Sequence, residues 1–353
     1  MQTDSTLTKN ALFQEFNIQT TAKDMRIPAL DFTKGALVVI MILYHWINYF
    51  IGPQWVYYRY LRFLTPSFIF ITGFMISNVY LSKYDVADPS LMKRLFTRGL
   101  KLIAIFIVLN VVRGGLLPIL SPGSLVPSLL HPRNLMASFV TGDFNGKVVA
   151  FYVLVPIAYL LILSGTLMVP FRSFKYIFNV VCVCLFAAIS ILYLSGTKSQ
   201  LLEMLAIGIL GIVVGFSPIA ALNKAIGRPS MILFAYVLYV IAIAVWNVPY
   251  PLEIMGTCLS VTIIYLVGTV SSRPNRIREG VLLLGKYSLL GYISQIAILQ
   301  ILAASVRHLS FRSAAVVISF PAAFALVVIA VEVVHRARLR AISIDRLYRL
   351  VFN

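Results

Sequence analysis

The chain has 353 residues, of which 60% are hydrophobic and only 12% charged, with a mean hydropathy of +0.90. Soluble domains carry about 25% charged residues, so a soluble enzyme or binding module is excluded and an all-α polytopic membrane protein is expected. The formal net charge of +18 would suit a nucleic-acid ligand. However, the lysines and arginines are spread between apolar runs rather than gathered in one stripe, a distribution that membrane topology produces, and no nucleic-acid partner is expected.

Residues 1–25 are polar and mixed in charge, with no signal-peptide pattern, and read as a cytoplasmic tail. The first apolar segment, Arg26 to Trp46, holds three ionisable groups: Asp31 and Lys34 at its entrance and His45 in its interior. An ionisable side chain inside a span is costly and marks a functional path by default. Lys34 and His45 are 11 residues apart, which at about 100° per residue returns to within about 20° of the same face, ~16 Å further along the helix. They therefore line one stripe at two depths. Asp31, one turn before Lys34, is placed to hold it. The plainer alternative has Lys34 snorkelling to headgroups and His45 bonding a neighbouring helix.

Apolar runs of spanning length follow at roughly 35–51, 63–81, 102–120, 148–169, 176–194, 201–216, 230–248, 254–270, 281–304 and 314–334, each near the ~20 residues that cross a bilayer. The sixth and eighth are the weakest, being short with Glu203 or Glu253 near one end. About ten transmembrane helices are expected, with both termini cytoplasmic. That orientation leaves 21 lysines and arginines inside, Lys34 in the membrane, and eight outside: Arg59, Arg62, Arg113, Arg133, Lys147, Lys198, Arg307 and Arg312. Residues 26–335 form one membrane domain on this reading, and 336–353 a basic cytoplasmic tail. The longest external segment, 121–147, includes His131, Arg133, Asn134 and Asp143 and is long enough to shape an outward-facing opening.

In the second run, Pro66 and Gly73 permit a kink and close packing. The third run opens with Lys93, Arg94, Arg98 and Lys101. Arg94 and Arg98 share a face, as do Arg98 and Lys101. They serve either as topology determinants or as a cationic clamp on a phosphorylated cytoplasmic ligand. Arg113, beside Asn110 near the outer end of the same run, is either a snorkelling arginine or an acceptor-side ligand. Cys182, Cys184 and Cys258 sit in apolar runs as small core residues, and no disulfide framework or metal site is spelled.

These segments resemble the membrane acyltransferase 3 family. Its first helix carries an arginine or lysine, ten residues, then an essential histidine, matched by Lys34-x10-His45. Its second helix reads like Phe-Phe-x-x-Ser-Gly-Phe, matched by Phe68-Ile69-Phe70-Ile71-Thr72-Gly73-Phe74 with Thr72 in place of serine. Its third opens with Arg-x-x-Arg, matched at Arg98-Gly-Leu-Lys101 with lysine in the last place. The ninth run, Gly285-Lys286-Tyr287-Ser288 to Ser294-Gln295, departs by having glutamine where histidine is common. Leu30-Asp31-x-x-Lys34-Gly35 is also similar to the first helix of the heparan-α-glucosaminide acetyltransferase-like group.

The resemblance implies transfer of an acyl group, most often acetyl, from cytoplasmic acyl-coenzyme A to a hydroxyl of an envelope glycan or glycolipid, in a plasma or bacterial inner membrane. It needs no metal. Arg94, Arg98 and Lys101 would meet the donor, and His45 would act as general base or carry the acyl group. The rival function is a proton-coupled transporter or flippase in which Asp31, Lys34 and His45 form a relay.

Overall fold

The computed structural model describes residues 27–52, 55–84, 88–120, 139, 143–144, 147–148, 150–170, 175–246, 249–270, 275–306 and 312–352. The expected N-terminal tail and most of the 121–147 segment lie outside them. The described chain is helical throughout, apart from a two-residue antiparallel ladder of β1 (Asp143–Phe144) with β2 (Lys147–Val148).

The first helix, α1 (Pro28–Trp46), begins on a proline at its first position, where the missing N–H costs nothing. It runs on as a π-helical turn, Ile47–Ile51, ending at Gly52 with φ of 107°. Next come α2 (Trp55–Leu61) and α3 (Leu64–Met75), which also continues as a π-helical turn, Ile76–Tyr80, before the single turn α4 (Leu81–Lys83). The 32-residue α5 (Pro89–Leu120) starts well before the apolar run at 102, so Arg94, Arg98 and Lys101 sit within its first turns rather than in a loop. It is followed by α6 (Leu154–Met168), α7 (Lys175–Leu194), α8 (Gln200–Gly215), α9 (Ile219–Ala225), α10 (Pro229–Val245) and α11 (Tyr250–Val270). Ser199 caps α8 by accepting from the Leu202 amide.

Seven helices of the described residues are long and apolar enough to cross a membrane, and three shorter apolar ones, α6, α8 and α10, occupy other expected runs. The eighth run is stronger than expected: α11 has 21 residues, and its Glu253 is buried against Arg62 rather than wetting a helix end. The ninth differs in kind. Instead of one helix over 281–304, the chain breaks between α12 (Arg276–Lys286) and α13 (Ser288–Val306). The hinge residue Tyr287 is almost fully buried, and its hydroxyl is shared between His335 at 3.0 Å and a guanidinium N–H of Arg338 at 3.1 Å. Those bonds fix the break. The last long helix, α14 (Arg312–Arg340), passes through position 335 without interruption, and after Ala341 a final amphipathic helix, α15 (Ile342–Phe352), folds back on the bundle.

Two close helix contacts set the frame, both made by small residues as is usual where hydrocarbon surrounds the bundle. A Cβ on Gly35 would overlap the Val281 carbonyl and one on Gly285 the Asp31 carbonyl, so α1 and α12 touch backbone to backbone. In the same way Gly73 meets the Gly208 carbonyl and Gly211 the Phe70 carbonyl, joining α3 to α8. The first contact places Lys286 beside Asp31 and Lys34. The largest core cluster runs through α1, α3, α5, α6 and α8, with Leu37, Met41, Ile69, Phe106 and Leu160 among its buried members.

Candidate active site

A cavity of about 230 Å³ opens where α1, α3, α5, α6, α12, α13 and α15 meet. One side is cationic: Lys34, Arg98, Lys101 and Lys286 all line it. A smaller cavity, bordered by Asp31, Lys34, Met75 and Lys286, adjoins it. Lys34 Nζ pairs with Asp31 Oδ1 at 2.6 Å, one turn away as the spacing predicts. Four cations thus face one carboxylate, and their surplus positive charge in a half-buried site favours an anionic ligand.

The guanidinium of Arg98 donates to the Tyr80 hydroxyl and lies 5.8 Å from that ring's centroid. Four residues earlier on α5, Arg94 donates to Tyr84, four residues later on the opposing strand of chain, at 2.7 Å. The two arginines therefore share a face, but only Arg98 reaches the cavity. Arg94 and Lys93 are exposed and line neither cavity. Lys101 Nζ lies 3.5 Å from the Arg349 carbonyl of α15.

His45 sits at the end of α1, two residues before the π-helical turn, a distortion frequent at functional positions. It does not line the cavity itself. Tyr292 of α13 does, and the His45 and Tyr292 rings lie 6.4 Å apart. His45 also meets the adjacent Tyr44 at 5.0 Å, and Tyr44 meets Tyr58 of α2, which is exposed, at 5.4 Å. The imidazole therefore belongs to a cluster of rings that includes Tyr292, on the cationic cavity, and the exposed Tyr58. Its Nε2 is buried with no hydrogen-bond partner among the described residues. A buried basic nitrogen without a partner is chemically available, since nothing competes for its lone pair or proton.

Gln295, at the position where the resembled segment often has histidine, is fully buried, and neither end of its amide has a partner among the described residues. Val38 packs on Gly291 and Tyr49 accepts from Gln300 at 2.9 Å, so α1 and α13 run parallel and Gln295 falls within the stretch that contains His45. Arg113 is on α5, 15 residues or roughly 22 Å beyond Arg98, far from the cavity. Its Nε is buried and has no partner among the described residues, while nearby Asn110 is held by the Ala150 carbonyl at 3.1 Å. Among the described residues no group of three or more His, Cys, Asp or Glu side chains could hold a metal.

A family model described as an acyltransferase domain, that of the acyltransferase 3 family, matches residues 27–333. The chain belongs to this family. No curated protein and no solved structure matches it. As a membrane member of an acyltransferase family, the protein places three of the sequence-predicted residues, Lys34, Arg98 and Lys101, on one cavity, with Asp31 paired to the first and His45 one ring behind. Sequence reading missed Lys286, Tyr292, Tyr80 and the α15 residues Tyr348, Val351 and Phe352 that complete the lining. The signal for Lys286 was the Gly285-Lys286-Tyr287 triplet, whose glycine permits the α1 contact. The α15 residues carried none, because their place depends on the turn at Ala341.

Proposed function

We propose that this acyltransferase takes an acyl group, acetyl in the first instance, from cytoplasmic acyl-coenzyme A and passes it to a hydroxyl of an envelope glycan or glycolipid. The observation that carries this reading is the convergence of Lys34, Arg98, Lys101 and Lys286 on a cavity separated from His45 by a single tyrosine ring. The cations hold the donor phosphates, and the thioester arm extends past Tyr292 toward His45. The acceptor hydroxyl enters from the Tyr58 side and attacks the thioester carbonyl carbon. His45 takes the hydroxyl proton, the new C–O ester bond forms, the C–S bond breaks, and the coenzyme A thiolate leaves and is protonated. Arg113 remains an acceptor-side residue on this proposal.

Ten spans with both ends cytoplasmic, in a plasma or bacterial inner membrane, suit this chemistry. Lys34, near the start of α1, and Phe352, near the end of α15, line the same cavity, which supports an even number of crossings. A reporter fused at Pro122 is expected outside and one at the C-terminus inside; finding both on one side would exclude the arrangement.

A transport relay through Asp31, Lys34 and His45 is less well supported. Asp31 and Lys34 satisfy each other, and the ring neighbours of His45 are tyrosines. The deciding assay is acyl transfer from labelled acetyl-coenzyme A by purified protein in detergent, where no gradient or second compartment exists. Turnover is expected. Solute movement in vesicles without any thioester turnover would replace the enzyme by a transporter.

A further inference from the structure

The helix α15 lies beyond residue 333, where the family match ends, yet it supplies Tyr348, Val351 and Phe352 to the cavity that the four cations also line. It is anchored by ion pairs and ring contacts. Asp345 accepts from Arg338 at 2.6 Å and pairs with Arg349 at 2.7 Å. The Arg338 guanidinium carbon sits 3.9 Å from the Tyr348 ring centroid, and Tyr348 also meets Tyr287 edge-on at 5.4 Å. Lys101 reaches the Arg349 carbonyl from α5. Ile342, Leu347 and Leu350 are exposed on another side of the helix, an apolar face that suits the lipid boundary and keeps α15 at the cavity mouth.

Phe352 stacks on Tyr348 with centroids 4.7 Å apart and planes 25° from parallel. Arg338 lies over Tyr348 at a distance that occupies one ring face, so Phe352 takes the other. The result is a column, Arg338, Tyr348, Phe352, that ends on an aromatic ring at a cavity also lined by Arg98 and Lys101. A ligand matching both features combines phosphates with a flat heterocycle.

We propose that α15 is the base-binding wall of the donor site, with the adenine of the donor stacking on Phe352 as the next layer of that column while its phosphates meet Arg98 and Lys101. This rests on the acyl-coenzyme A reading above and makes Phe352 a specificity residue for nucleotide-bearing donors.

The test compares two donors on the full-length protein in detergent by calorimetry: acetyl-coenzyme A, and S-acetyl-4′-phosphopantetheine, which keeps the acyl arm and one phosphate but lacks the adenine nucleotide. Phe352→Ala is expected to weaken acetyl-coenzyme A binding about tenfold, the scale of one lost base stack, and to leave the shorter donor unchanged. Phe352→Trp is expected to retain both affinities. Equal losses for the two donors would mean that Phe352 only closes the mouth, and no loss for either would mean that it touches no ligand; each overturns the proposal. Wild-type protein that binds neither donor would overturn the acyl-coenzyme A reading itself and this proposal with it, a failure visible before any variant is made.

Discussion

Replacing His45 by glutamine is expected to slow acyl transfer by roughly 10²–10⁴-fold, the range lost when a positioned general base is removed. Glutamine keeps a polar side chain of similar reach, so the contacts with Tyr44 and Tyr292 that space the helices suffer little. What it lacks is a basic ring nitrogen to take the proton of the acceptor hydroxyl. Donor binding is expected to survive, because His45 is not among the residues lining the cationic cavity. The measurement is single-turnover transfer with donor affinity followed in parallel. If affinity falls as steeply as the rate, His45 is a binding residue; if neither changes, the chemistry lies elsewhere. An acyl-enzyme on His45, detectable by mass spectrometry of acid-quenched wild-type protein, would replace the base role by a covalent one.

The arrangement of charges on the first helix was legible because it is local. Asp31 and Lys34 are three residues apart, and a helix alone brings them together. The stripe from Lys34 to His45 follows from 3.6 residues per turn. Arg98 and Lys101 were legible for the same reason, as neighbours on one helix. Where the reading went further than local spacing, it divided. Arg94 shares a helical face with Arg98, yet Tyr84 draws it to the exposed side, and nothing in the α5 sequence encodes the position of Tyr84. The break at Tyr287 was hidden because 281–304 reads as one predominantly apolar run of spanning length despite Lys286. It depends on His335 and Arg338, some 50 residues later, reaching back to one hydroxyl. Glu253 looked like a helix-end marker because its partner, Arg62, is nearly 200 residues away in sequence. The α15 wall is the extreme case, since a basic tail with a few apolar residues carries no sign of what it covers.

Those differences make Arg98 the informative position in the clamp. Its guanidinium is held by Tyr80 at the cavity edge, so it meets a phosphate already oriented, with little further loss of side-chain freedom. Arg98→Ala is expected to weaken acetyl-coenzyme A binding by about 1.5–3 kcal/mol, the value of a charge-assisted hydrogen bond, or roughly 10- to 150-fold. The deficit is expected to shrink as salt rises, because screening weakens the wild-type site more than the variant. Arg98→Lys retains the charge but not the planar fork, and an intermediate loss is expected. Arg94→Ala supplies the contrast: exposed and outside the cavity, it is expected to cost no more than the ~1 kcal/mol of a surface charge. Calorimetric titration of the three variants at two salt concentrations reads all of this at once. Equal effects at Arg94 and Arg98 would point to a diffuse surface potential, and undiminished affinity in Arg98→Ala would leave these arginines as topology signals, with the donor held by Lys34, Lys101 and Lys286.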